Sequence, residues 1–158
     1  MTDFVSSVVE FNEIASQSKS VYNEDKLVLY FGLIMEELQE TIDASRVELS
    51  FQKDLMDMLK RAEATYKAKE YRIRGSLPIS QEDKTETLDG TVDLAVVALG
   101  AAFALGADVS GACDEVASSN MSKCSVDGSG NKYMAKDANG KVIKPSHFKH
   151  PVLSSFIK

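Results

Sequence analysis

The chain has 158 residues, 44% of them hydrophobic and 27% charged, with a formal net charge of −6, two cysteines, two histidines and no tryptophan. That length and composition suit one cored domain and exclude two comfortable ones. The charge is uneven: from Lys123 to Lys158 seven lysines face two aspartates, a local +5 that leaves −11 on residues 1–122, so a nucleic-acid partner is not expected on so negative a body.

The start, Met1-Thr2-Asp3-Phe4, lacks the basic residues and apolar run of a secretory signal. Residues 3–16 place Phe4, Val8, Phe11 and Ile14 at helical spacing, so a first helix is expected there. Asn23 can cap a second helix over 24–46, whose Leu27, Tyr30, Phe31, Ile34, Leu38 and Ile42 form a core-facing stripe. Glu36, Glu37, Glu40 and Asp43 fall on the other side, and the first three span an arc of about 100°. Such a face is either solvated or a set of cation ligands.

A third, highly charged helix is expected over 50–74, followed by a loop from Gly75 to Asp83. The fourth, over 84–106, carries Glu86, Asp89 and Asp93 before an uncharged run from Leu94 to Ala107. That run has 14 residues, short of the roughly 20 a membrane span needs, so a buried helix and no membrane partner are expected. Burial would leave Asp93 needing a cation, a lysine or a backbone donor. Asp108 can cap a fifth helix over 109–124, at whose end Asn120 and Lys123 stand one turn apart and can share an anion, unless Lys123 merely completes the helix dipole. Asn139-Gly140, between lysine-rich runs, reads as a hairpin turn.

The fold expected is therefore all-α: a bundle of four to five helices over 1–125, with a basic hairpin tail over 126–158 in the same domain. Cys113 and Cys124 lack zinc-site spacing, and reduced thiols in cytoplasm are the simplest account. His147 and His150 both lie in the tail, which leaves no base in the body for Ser-His-Asp or Cys-His catalysis and no Glu-x-x-His for a di-iron centre. No phosphate-binding glycine loop is present. Oxygen-only acids facing each other, Glu36, Glu37 and Glu40 with Asp89 and Asp93, suit Mg²⁺, with Mn²⁺ as the second candidate, and favour metal-assisted phosphoanhydride hydrolysis.

Glu36-Glu37-Leu38-Gln39-Glu40 followed by the Asp89/Asp93 helix resembles the Glu-Glu-x-x-Glu and Glu-x-x-Asp pattern of the MazG-like all-α nucleoside triphosphate pyrophosphohydrolases, which are related to phosphoribosyl-ATP pyrophosphohydrolase and the dimeric dUTPases. Val9-Glu10-Phe11-Asn12, Asp89-Gly90-x-x-Asp93, Ser119-Asn120-Met121-Ser122-Lys123 and Gly140-Lys141-Val142-Ile143-Lys144-Pro145 extend the resemblance, which is greatest to compact phage-encoded members. It implies Glu37, Glu40 and Asp93 as Mg²⁺ ligands, and Glu36 as a further ligand or the group that orients the attacking water. In register, Gly90 falls at the family's second glutamate, so Asp89 substitutes for it, whereas Glu86-x-x-Asp89 is the strict match. The resemblance further implies that Asn120, Lys123, Lys141 and Lys144 meet the phosphates and Asn12 the base or sugar. Cleavage between the α and β phosphorus of a (d)NTP (dGTP/GTP, dCTP or dUTP) would serve nucleotide-pool control by a homodimer or homotetramer, in the host cytoplasm if the chain is phage-encoded. The alternative is a non-catalytic acidic helical oligomer that binds nucleotide or a protein.

Overall fold

A computed structural model describes residues 3–19, 22–46, 48–71, 79–138 and 140–157. It contains α1 (Phe4–Ser16), α2 (Glu24–Ser45), α3 (Gln52–Lys67), α4 (Gln81–Ala104) and α5 (Val109–Met121), then the short antiparallel strands β1 (Ser125–Val126) and β2 (Lys132–Tyr133) and a 3-10 turn, Ser154–Phe156. The protein is thus mostly helical with a small two-stranded tail. It divides into two compact units, Met1–Ser20 with Pro78–Lys158, and Val21–Leu77.

The helix starts follow local chemistry. The side chains of Asp3, Asn23, Ser80 and Asp108 accept from the backbone N–H groups of Ser6, Lys26, Asp83 and Gly111, meeting donors that a helix start otherwise leaves bare. Ser80 and Asp83 complete a reciprocal capping box, which starts α4 at Gln81 instead of inside the loop expected up to Asp83. Gly106, at φ +75°, then turns the chain out of α4 in a conformation that costs glycine little. The third helix ends at Lys67 rather than near 74; Ala68 to Tyr71 leave the helix, and residues 72–78 lie outside the described chain.

The α2–α3 unit is a helical hairpin. Its buried line on α2 is Val28, Gly32 and Gln39, facing Met56, the buried residue of α3. A Cβ on Gly32 would lie 3.3 Å from Tyr66 Cβ and 3.4 Å from Lys67 Cγ, so glycine sets the close approach of the helices. The Phe31 and Tyr66 rings pack with centroids 5.9 Å apart. This buried line is rotated from the expected stripe: Tyr30 and Leu38 are exposed, while Glu36 is half-buried toward α3. Glu36 therefore does not belong to a face opposite the core.

In the other unit, α5 packs on α1, and the end of the chain runs antiparallel along α5 as a strap. The Ser119 hydroxyl donates to the Lys149 carbonyl, and Lys149 N–H donates back to Ser122 Oγ. Val152 N–H donates to Glu115, and Asp108 N–H donates to the Phe156 carbonyl. These bonds fall one to two turns apart, so the strap is tied along the length of α5. Gly111 makes room for its end: a Cβ there would lie 2.6 Å from Phe156 Cε1.

The tail differs from the expected single hairpin. Its two strands enclose Asp127 to Asn131, where the Asp127 carboxylate accepts from Ser129 and Asn131 N–H. The expected turn is a second loop of the same length: Lys136 bridges Val142, and Gly140, at φ +85°, follows Asn139, which lies outside the described residues.

The largest departure concerns α4. The expectation of a buried helix is overturned: Leu88, Val92, Val96, Val97 and Phe103 are 54 to 76% exposed, and Asp93 is itself exposed. Burial therefore places no demand for neutralisation on Asp93. By length and composition α4 is also apolar enough to cross a membrane, although the 14-residue uncharged run argued otherwise. Both cysteines are free thiols, and burial pushes that of Cys113 upward in pKa.

Candidate functional site

The clearest gathering of expected site residues is at the C-terminal end of α5. Lys123 directs its ammonium to the Asn120 side-chain oxygen at 2.7 Å, which realises the one-turn spacing. The same ammonium lies 5.6 Å from the Phe11 ring centroid on α1 and 5.7 Å from that of Phe148 in the strap. Lys144 lies 5.0 Å from the Phe148 ring, so both lysines share one aromatic platform. His150 packs edge-on against Phe148, and His147 Nε2 is 3.0 Å from the Cys124 carbonyl, which fixes the strap beside the end of α5.

Asn120, Lys123 and Lys144 are thereby assembled from segments distant in sequence. Two ammoniums and an amide converging on one corner suit a multiply charged anion. Lys141 is exposed on the second turn, where its backbone N–H donates to Asp137. Asn12 directs its amide to the Val8 carbonyl of its own helix, beside Phe11 in sequence. The residues not anticipated are Phe11 and Phe148. An apolar helix position and a lone aromatic between basic residues carry no binding signal until the strap sets them around Lys123.

The acids are distributed over both units. On α2, Glu36 accepts from Lys67 Nζ at 2.9 Å, and the same ammonium donates to Glu63 at 2.7 Å. Glu63 also accepts from Gln39 Nε2 at 3.0 Å. The hydrogen bond from Lys67 is the main reason that the Glu63 carboxyl titrates below its ordinary range. Burial pulls the Lys67 ammonium down, but its bonds to Glu36 and Glu63 outweigh this and leave it raised. Glu37 and Glu40 are exposed on the same helix. Asp89 and Asp93 are exposed on α4, in the other unit. Among the described residues no three His, Cys, Asp or Glu side chains converge as a cation site. The donors are nonetheless of the oxygen-only type that Mg²⁺ takes, and Lys67 shows that Glu36 already holds a cationic group.

Comparison with protein-family profiles, with curated proteins and with solved structures gave no match. The resemblance to MazG-like pyrophosphohydrolases accordingly rests on the motif residues of this chain.

Proposed function

We propose that the protein hydrolyses a nucleoside triphosphate between the α and β phosphorus, with Mg²⁺, giving a monophosphate and pyrophosphate. The observation that carries this reading is the assembly of Asn120, Lys123 and Lys144 around Phe148, a cationic corner suited to a polyphosphate. The acids of α2 and α4 supply the complementary chemistry. Glu37 and Glu40 on α2, and Asp89 and Asp93 on α4, carry the oxygen donors that a divalent cation takes, and such a cation would offset phosphate charge and lower the pKa of an attacking water. Because Lys67 holds Glu36, Glu37 is the member of that pair exposed to solvent and the base for the water proton; Glu36 orients it. Lys123 and Lys144 take the charge of the departing pyrophosphate.

The test is a screen of canonical and modified nucleoside triphosphates with Mg²⁺, with products identified. Pyrophosphate and the monophosphate are expected, and orthophosphate as first product would overturn the reaction assigned. Glu37→Gln and Asp93→Asn should each abolish turnover with helical content intact. Persistence of activity in both would show that the acids named are wrong.

One observation favours a second reading. Lys67 neutralises Glu36 and Glu63 internally, as a structural ion-pair network does. A non-catalytic module would bind nucleotide through Lys123 and Lys144 without releasing pyrophosphate.

A further inference from the structure

Phe148 is held from both sides. Its N–H donates to the Pro145 carbonyl at 3.0 Å, closing a turn that folds Lys144 back toward the ring. Before it, His147 Nε2 meets the Cys124 carbonyl at 3.0 Å; after it, the Lys149 carbonyl accepts from the Ser119 hydroxyl and Lys149 N–H donates to Ser122 Oγ. The His150 ring packs against it at 74°, with centroids 4.7 Å apart. The side chain is half-buried, so these ties set the place of the ring before any ligand arrives.

Two ammoniums meet this one ring. Lys144 Nζ lies 5.0 Å from its centroid and Lys123 Nζ 5.7 Å, both inside the roughly 6 Å over which a ring face attracts a cation. Gathering them is costly, because like charges repel and each long side chain gives up rotamer freedom. The ring offsets part of both costs, and Phe11 offers Lys123 a second ring at 5.6 Å. A carboxylate at position 148 would gather the lysines too, but by neutralising them. A ring attracts an ammonium without cancelling its charge, which is what an oxyanion needs of the corner.

We propose that Phe148 is a positioning residue of this corner: its π face gathers the Lys123 and Lys144 ammoniums and thereby raises the affinity for a polyphosphate chain. This rests on the reading of the corner as a polyphosphate site and adds to it a requirement for an aromatic ring. Packing bulk alone does not meet that requirement.

Calorimetric titration of the whole chain with inorganic tripolyphosphate tests it, since no turnover is needed. Phe148→Leu, which keeps an apolar side chain but loses the ring, should weaken binding about tenfold. Phe148→Tyr, which keeps the ring, should stay within about twofold of the unsubstituted chain. Binding unchanged or tightened in Phe148→Leu would overturn the proposal, and so would Phe148→Tyr falling as far as Phe148→Leu, because bulk or fold would then be the cause. An unsubstituted chain that binds no tripolyphosphate would overturn it as well.

Ring-current shifts read the same contacts without any substitution, and so serve even where Phe148→Leu fails to fold. The Cε protons of Lys123 and Lys144 should resonate upfield of those of the exposed Lys136, and both should move when tripolyphosphate is added. Shifts like those of Lys136, or shifts that tripolyphosphate leaves in place, would overturn the assignment. Failure here is distinguishable from failure of the proposed hydrolysis. Tripolyphosphate binding that follows the ring, in a chain that releases pyrophosphate from no nucleotide, would remove the reaction and leave the role of Phe148 standing. Pyrophosphate release together with binding indifferent to Phe148→Leu would do the opposite.

Discussion

Lys67 is the residue on which the α2–α3 unit depends most. It stands at the last position of α3, where the helix dipole favours a cation, and its ammonium serves Glu36 and Glu63 together. All three side chains are about three-quarters buried, so removing the cation leaves two carboxylates poorly solvated. Lys67→Met should cost about 2 kcal/mol in chemical denaturation. The same cluster makes stability depend on pH, because its groups shift in opposite directions. The folded-state pKa of Glu63 is lowered, so its contribution is present above the ordinary carboxyl range and fades as pH falls through the folded value. That of Lys67 is raised, so its contribution is full below the ordinary lysine range and fades only as pH rises through the folded value. Unfolding midpoints should therefore form a plateau between about pH 5 and about pH 10 and drop on both sides, and Lys67→Met should flatten the profile. Ser119 makes a similar case on α5: it is buried and its hydroxyl satisfies the Lys149 carbonyl. Ser119→Ala should cost about 1 kcal/mol and loosen the strap, seen as faster amide exchange near residue 149.

Among the elements, the C-terminal strap joins fold to site. It runs the length of α5 and delivers Phe148 to Lys123 and Lys144, so its anchoring determines whether the cationic corner exists. Gly111→Ala tests that link from the far end. The added Cβ collides with the Phe156 ring and the Asp108 carboxylate, which more than offsets the helix propensity gained. Overpacking of this kind costs about 1–3 kcal/mol, and limited proteolysis should release the C-terminal segment earlier in the variant. Gly32 sits in a milder version of the same situation between α2 and α3, where a Cβ would meet Tyr66 Cβ at a tight 3.3 Å and Lys67 Cγ at 3.4 Å.

At the level of the whole molecule, the cationic corner draws on α1, α5 and the tail, all within the unit of Met1–Ser20 and Pro78–Lys158. Lys123→Ala with Lys144→Ala should raise KM for a nucleoside triphosphate by roughly tenfold while helical circular dichroism stays intact, since both lysines lie beyond the end of α5. Helix positions were legible because their signals are local. Asn23, Asp108 and the apolar periodicity of α1 and α2 each act within one turn. The pair Asn120 and Lys123 was legible for the same reason. Burial was not, because it depends on what comes to lie alongside: α4 is apolar all round from Leu94 onward yet exposed, and the buried side of α2 is turned toward Gly32 and Gln39. Caps and periodicities, which need no distant partner, were enough to specify an all-α chain with a basic tail. That Lys67 occupies Glu36, that Phe11 and Phe148 surround Lys123, and that Asp93 stands exposed emerged with the folded chain alone, because each depends on which distant segments meet and which do not.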